Sequence, residues 1–333
     1  MNSSQSLSRP ENERIRVGIS ACLMGQPVRF NGSHKRSRFC TDVLSQYFEF
    51  VPLCPEVAIG LGTPRQAIRL VSESAQSTDI RAVGSTDANL DVTQPLIEYA
   101  TRQANKLTDL CGYILMQKSP SCGLFGVKRY LSNGHPEGTT QGLYAGEFQR
   151  RQPLLPMEEA GRLNDDALRE NFMVRVFTLH DWRNFRAEAG DQLSAGDLIR
   201  FHSRYKYLVM AHSMVHYKSI GRLLANFGTA DTADIADQYI EQLMAALARP
   251  ATRKMHSNTL MHMQGYLKRA LSDIDKQELT ELIHQYRQGI VPLVVPLAML
   301  KHHLNHQPDV ADYARQQVYL NPHPYELGLR NTL

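Results

Sequence analysis

Several features that would assign this chain to a large class are missing from it. In 333 residues no apolar run approaches the ~18 that a membrane-spanning helix needs. Residues 1–16 are polar and contain no apolar core of the kind that directs secretion, so a cytoplasmic protein is expected. Residues 1–13 read as a loose tail. Cysteine is scarce, at five, and an odd number without a secretory segment argues against a disulfide framework. Those cysteines form no CxxC pair and no CxxxCxxC triplet, and the histidines form no HExxH pair, so the commonest zinc and radical-enzyme spacings are excluded. No internal repeat or low-complexity segment is present. The charge surplus is small, +4 with a pI near 8.7, too weak on its own to imply nucleic acid.

What is present is ordinary globular composition, 42% hydrophobic and 21% charged, in a chain long enough for two domains of ~150 residues. Three short β-rich runs, residues 14–20, 48–53 and 112–117, are separated by helix-compatible stretches near 41–47 and 94–108. This alternation predicts an α/β N-terminal domain with a mostly parallel sheet over residues 14–155. Beyond residue 150 strand runs give way to stretches whose apolar residues recur at three and four: 165–188, 194–226, 235–248, 257–272 and 277–306. They predict an all-α C-terminal domain over 165–333, with Pro292 and Pro296 interrupting its last stretch.

Cys22, Cys54 and Cys122 each follow one of the three predicted strands, and open α/β sheets build their sites at the carboxyl edge. Each lies among Gly, Pro and Ser, which suggests loops rather than core, and neighbouring Lys and Arg would favour the thiolate. From spacing alone, three unrelated buried thiols, a three-cysteine zinc site and an iron–sulfur site all remain open. Cys40 and Cys111 lie outside this pattern and read as structural thiols.

The segments around the three cysteines, SACLMGQPVRFNG, VPLCPEVAIGLGTPR and KSPSCG, together with Asp91-Val92-Thr93, closely resemble the TudS-type thiouracil desulfidases over about residues 14–150. Members often carry a double glycine after Cys-Pro-Glu, where this chain has Val57-Ala58-Ile59-Gly60. HSRYKY at 202–207, MAH at 210–212 and PHPYEL at 322–327 resemble the YbgA-type helical domain. The two units occur fused in a group implicated in removing sulfur from 4-thiouridine in tRNA. The resemblance implies a 4Fe–4S cluster on Cys22, Cys54 and Cys122, one iron left open to hold the sulfur of a thiolated pyrimidine, and attack of water on the ring carbon without net redox change.

Water must lose a proton and the ring must gain one. Glu56, two residues from Cys54, is the candidate acid–base group, and Ser119 a candidate for substrate contact or proton relay. The plainer alternatives are an ion pair of Glu56 with Arg65 or Lys35, and a turn role for Ser119 before Pro120. Arg29, Asn31, His34, Lys35 and Ser121 are candidates for substrate or phosphate contacts.

In the helical half, charge is segregated. Residues 198–230 and 242–272 contain no acid, yet carry Arg204, Lys206, Lys218 and Arg222 in the first stretch and Arg253, Lys254, Lys268 and Arg269 in the second. Packed side by side, such helices would present a positive face to an RNA backbone, with Tyr205, Tyr207, Tyr217 and Tyr266 available for stacking. A metal site on His212 and His216, four residues apart, is the weaker reading of the histidines there. The expected function is iron–sulfur-dependent desulfidation of thiolated uracil, with 4-thiouridine in tRNA as substrate. The alternatives are desulfidation of free thiouracil or thionucleosides, and a non-catalytic iron–sulfur RNA sensor.

Overall fold

The computed structural model describes residues 14–74, 76–227 and 231–333, without the side chains of residues 308–311; the expected N-terminal tail lies outside this set. The chain divides into two compact units, Met1–Arg162 and Leu163–Leu333.

The N-terminal unit contains two four-stranded sheets among its described residues. The first has the order β2 (Phe48–Leu53), β1 (Ile15–Ser20), β5 (Gly112–Leu115), β8 (Met157–Glu159), and every neighbouring pair is parallel. β1 and β5 lie at its centre and are almost wholly apolar and buried, as a parallel sheet covered on both faces requires. The helices α2 (Thr93–Lys106) and α3 (Leu143–Arg151) pack on each other. They enclose an aromatic cluster of Tyr99, Tyr113, Tyr144 and Phe148. The Tyr113 and Tyr144 hydroxyls pair at 3.0 Å, so neither buried phenol is left without a partner.

The second sheet, in the order β4 (Arg81–Gly84), β3 (Ile68–Ser72), β6 (Val127–Leu131), β7 (Pro136–Thr140), is mixed, with only β3 and β6 parallel. It has no counterpart among the sequence expectations. Its strands are short and carry charged residues, which masks their period, although Asn133-Gly134 between β6 and β7 has the turn composition of a hairpin. Ile68, Leu70, Ala82 and Val127 pack here against Leu96 of α2, so α2 serves both cores of the unit.

The C-terminal unit is helical throughout its regular structure: α4 (Asp166–Ala189), α5 (Ala195–His212), α6 (Met214–Ala225), α7 (Thr232–Ala246), α8 (Arg253–Gln264), α9 (Asp273–Gln288), α10 (Val294–His306) and α11 (Pro308–Arg315). Two expected helices are in fact four. The 194–226 stretch breaks at Ser213, whose extended backbone ends α5 and whose hydroxyl accepts the His216 N–H to cap α6. The 277–306 stretch breaks after Gly289, which caps α9 with a left-handed φ of 82°. Ser194 and Asp197 form a reciprocal capping box on α5. Among the described residues no helix is long and apolar enough to cross a membrane.

Candidate functional site

Strand register determines where the cysteines meet. Ser20 at the end of β1 stands opposite Leu53 at the end of β2, so Cys22 and Cys54 leave the same sheet edge side by side. Cys22 sits in a short 3-10 turn, Ala21–Met24, and its carbonyl accepts the Lys35 N–H at 2.9 Å. Cys54 caps the one-turn helix α1 (Pro55–Ala58), which Pro55 starts with its fixed φ. Gly60, at φ 91°, reverses the chain after this turn, so the Val-Ala-Ile-Gly variant keeps a glycine where a left-handed residue is needed. β5, on the other side of β1, leads into the loop that carries Cys122.

That loop is tightly specified. The Ser119 hydroxyl accepts the N–H groups of Ser121 (3.3 Å) and Cys122 (3.1 Å). Buried Glu159 of β8 accepts the N–H groups of Leu124 and Phe125 at 2.9 and 3.1 Å. A Cβ on Gly123 would fall 2.4 Å from the Val127 side chain, so the close return of the chain there excludes any larger residue.

The three cysteines line one cavity of about 760 Å³. Cys22 and Cys122 are 8% and 6% exposed and Cys54 is half-buried, so two of the three belong to the core instead of lying in open loops. Burial, reinforced by Cys54, pushes the Cys22 thiol up to about 11 against the opposing charge of Arg29. Burial also raises Cys54, against the pull of the Val57 N–H, and raises Cys122 furthest. The expected dominance of nearby cations is therefore reversed: desolvation wins, and a bound metal would have to displace the protons. Cys40 and Cys111 are buried away from this cavity.

Among the described residues no three His, Cys, Asp or Glu side chains are grouped to hold a metal ion. Three soft thiol donors on the wall of one cavity have the donor chemistry that an iron–sulfur group takes.

Glu56 is held from both sides. Its Oε2 accepts Arg65 Nε at 2.9 Å and Nη2 at 2.7 Å, a buried, forked ion pair. Its Oε1 accepts the Ser121 hydroxyl at 2.6 Å. The Ser119 and Ser121 hydroxyls are 3.0 Å apart. With the Ser121 proton on Glu56, the Ser119 proton points to Ser121, giving a continuous line Ser119–Ser121–Glu56. Ser121 is fully buried and Ser119 half-exposed, so Ser119 is the accessible end. The ion pair with Arg65 and the turn role of Ser119 both exist, and neither removes the residue from the cavity wall.

The other candidates divide. Arg29, Lys35 and Ser121 line the cavity. Asn31 does not; its Oδ1 is spent on the Ser33 N–H and hydroxyl, at 3.2 and 2.6 Å. His34 faces a separate small hollow with Arg36 and Thr41, and its Nδ1 accepts the Arg36 N–H at 3.3 Å. Sequence reasoning had no basis for Arg69, Lys128 and Tyr130, which the second sheet brings to the same cavity.

In the helical unit Lys218, Arg222, Lys254, Lys268 and Arg269 are exposed. Arg204 pairs with Asp181 at 3.4 Å, and Lys206 lies 5.9 Å from the Tyr217 ring. Exposed Arg253 donates to the Tyr286 carbonyl at 3.1 Å. Tyr205 and Tyr207 are 1% and 5% exposed and face the core, so they offer no stacking surface; Tyr217 and Tyr266 are half-buried. His212 Nδ1 donates to the Leu208 carbonyl at 2.9 Å, and His216 Nδ1 pairs with the Ser213 hydroxyl at 2.9 Å.

Comparison with known proteins matches residues 17–160 to the 2-thiouracil desulfurase family and residues 206–324 to a protein family of unknown function, DUF1722. The uncharacterized protein YbgA of Escherichia coli (strain K12) is 32% identical over 164 residues, 49% of this chain and 94% of that protein. The uncharacterized protein YbbK of Bacillus subtilis (strain 168) is 31% identical over 108 residues, 32% of this chain and 71% of that protein. A solved structure described as a 4Fe–4S-dependent thiouracil desulfidase, TudS, is 29% identical, spans 45% of this chain and 94% of its own, and superposes with a TM-score of 0.36. The chain belongs to the family in which a 2-thiouracil desulfurase domain is joined to a YbgA-like domain, DUF1722.

Proposed function

We propose that the N-terminal unit removes sulfur, with the help of a 4Fe–4S cluster on Cys22, Cys54 and Cys122, from a thiolated uracil carried in RNA, with 4-thiouridine of tRNA as the favoured substrate. One observation carries the reading. The cavity that gathers the three cysteines, Glu56 and Ser119 is lined by six cations, Arg29, Lys35, Arg65, Arg69, Lys118 and Lys128, and by one carboxylate, Glu56. Arg65 is consumed by Glu56, and the net negative charge of a 4Fe–4S group on three thiolates offsets a further part, yet with five other cationic side chains on the wall a positive surplus remains that a neutral pyrimidine ring does not call for. Such a surplus suits a base with phosphates attached. The exposed Lys218, Arg222, Lys254, Lys268 and Arg269 add positive surface to the helical unit.

With three protein ligands, the cluster supplies a Lewis-acidic iron with affinity for sulfur. The residues of the chain do the rest. The proton of the attacking water passes through Ser119 and Ser121 to Glu56 Oε1, the direction in which the two hydroxyls point, and the protonated carboxyl returns a proton to the substrate side once the hydroxyls have turned about. Arg65 fixes the carboxylate in place. The water oxygen forms the new C–O bond as the C–S bond breaks, sulfide departs, and no electrons are exchanged with an external partner.

The test is anaerobic reconstitution with iron and sulfide, followed by thiolated tRNA turnover read from its near-ultraviolet absorbance and from released sulfide. Equal loss of thiobase and gain of sulfide is expected. Turnover of free thiouracil alone would make this a small-molecule enzyme, and a complete cluster inert toward both substrates would favour the sensor reading. A Glu56→Ala variant is expected to keep its iron and lose about 10²-fold or more in turnover.

A further inference from the structure

The helical unit contains a cavity of its own, about 330 Å³, between α10 and the C-terminal stretch, within the size range of small-ligand sites. Its walls include Leu297, Leu320 and Leu329 and two cationic side chains, Lys301 and Arg330. Arg330 is 7% exposed. Its Nε donates to Glu170 Oε1 at 2.9 Å and its Nη1 to the Tyr319 carbonyl at 2.6 Å, while Nη2 has no hydrogen-bond partner among the described residues. A buried guanidinium nitrogen without a protein partner is costly, and a bound anion is one way to satisfy it.

Lys301 reinforces the point. Its Nζ donates to Asn321 Oδ1 at 2.5 Å and lies 5.7 Å from the ring of Tyr325, and no carboxylate among the described residues pairs with it. Burial, together with the charge of Arg330, pulls Lys301 down to about 8. Two cations that repel each other across one cavity, with Glu170 as the acid on the far side of Arg330, leave an uncompensated positive charge. His323 also lines the cavity; its Nδ1 donates to the Pro324 carbonyl at 3.1 Å, and its Nε2 lies 3.7 Å from Glu170. Tyr325 lies at the mouth and is 69% exposed.

We propose that this cavity is a second binding site, for a phosphate ester held between Lys301 and Arg330, with the leucine wall packing its organic part. With Nε and Nη1 engaged, Arg330 offers Nη2 as its remaining donor, and a phosphate oxygen held between it and Lys301 would relieve both the repulsion and the unpartnered nitrogen. The phosphate can come from a small metabolite or from an RNA strand, and the same chemistry serves both.

The test uses the full-length chain and isothermal titration with inorganic phosphate and with glycerol 3-phosphate, neither of which carries a base. Saturable binding is expected, weakened about tenfold or more in Lys301→Gln and unchanged in Lys106→Gln, a surface change on α2 outside both cavities. Lys301→Gln should melt like the parent protein without ligand, and Arg330→Lys provides a second variant that keeps the charge but loses the unpartnered Nη2. If Lys301→Gln also weakens tRNA binding, the phosphate is supplied by RNA; if tRNA affinity is unaffected, a free phosphate ester is the ligand. No saturable binding of either probe, or equal affinity in Lys301→Gln, overturns the proposal.

Discussion

In the N-terminal unit the buried polar side chains around the cysteines face a cavity; most of those in the helical unit face one another. Ser121, Glu56 and two of the cysteines are withdrawn from bulk water yet stand on the wall of a space large enough for a substrate. In the helical unit Glu170 is enclosed by Arg330 and His323, His256 pairs with Tyr319 at 3.0 Å, and Tyr205 with Asp181 at 2.7 Å. Burial alone would raise Glu170, but Arg330 and His323 overrule it and hold the carboxyl well below the usual range. The first arrangement keeps reactive groups available, while the second ties the C-terminal stretch to α4. The difference shows that burial by itself does not mark a site; a shared open wall does.

The strongest way to break this comparison is to remove a group from each side. Cys54→Ser is expected to abolish iron incorporation and turnover, with the melting of the helical unit unchanged; iron analysis and calorimetry read the two separately. Arg330→Ala leaves Glu170 buried without its partner and should destabilise the helical unit by about 3–5 kcal/mol in urea denaturation, with iron content retained. Retained stability in that variant would mean that the Glu170 cluster is no latch. Ser121→Ala cuts the line between Ser119 and Glu56, so kcat should fall about tenfold or more while the cluster spectrum persists.

Acid sharpens the contrast. Burial pulls His256 down to about 3 and His202 down to about 4 in the helical unit, whereas both described histidines of the N-terminal unit, His34 and His135, are exposed. Between the ordinary histidine value of about 6.5 and these lowered values, the unfolded chain binds protons that the folded chain refuses. Helical stability is therefore full above about pH 6.5 and lost as pH falls through that window. Denaturation at neutral and at mildly acidic pH should show the helical transition moving first; simultaneous movement of both transitions would contradict it. The smallest expected effect is at the surface. Lys268→Gln should weaken tRNA binding slightly and reduce its salt slope by about one, leaving turnover of free thiouracil unchanged.

Local sequence carried much of this molecule. The run of β1 and β2, the helical periods of α2, α4 and α7, and the three cysteine motifs follow from neighbouring residues, because strand and helix periods are short-range properties. The break at Ser213 was equally local, but a hydroxyl cap inside a continuous apolar period is easily passed over. The second sheet was not legible. Its strands alternate charge with apolar residues, and their pairing joins segments about sixty residues apart, β3 with β6.

The sequence by itself determined the donor set: three cysteines, a carboxylate beside one and two serines beside another. Tertiary structure decided what those groups touch. Burial, which depends on the surrounding unit as a whole, outweighed the nearby cations and set the thiols high. Register across β1 and β2 put Cys22 beside Cys54, and the return of the chain after β5 placed Ser121 against Glu56, sixty-five residues away. The same return of distant strands added Arg69 and Lys128 to the cavity, while packing turned Tyr205 and Tyr207 inward. Residue type is fixed locally, but desolvation and pairing are set by neighbours far along the chain, and these govern charge and access.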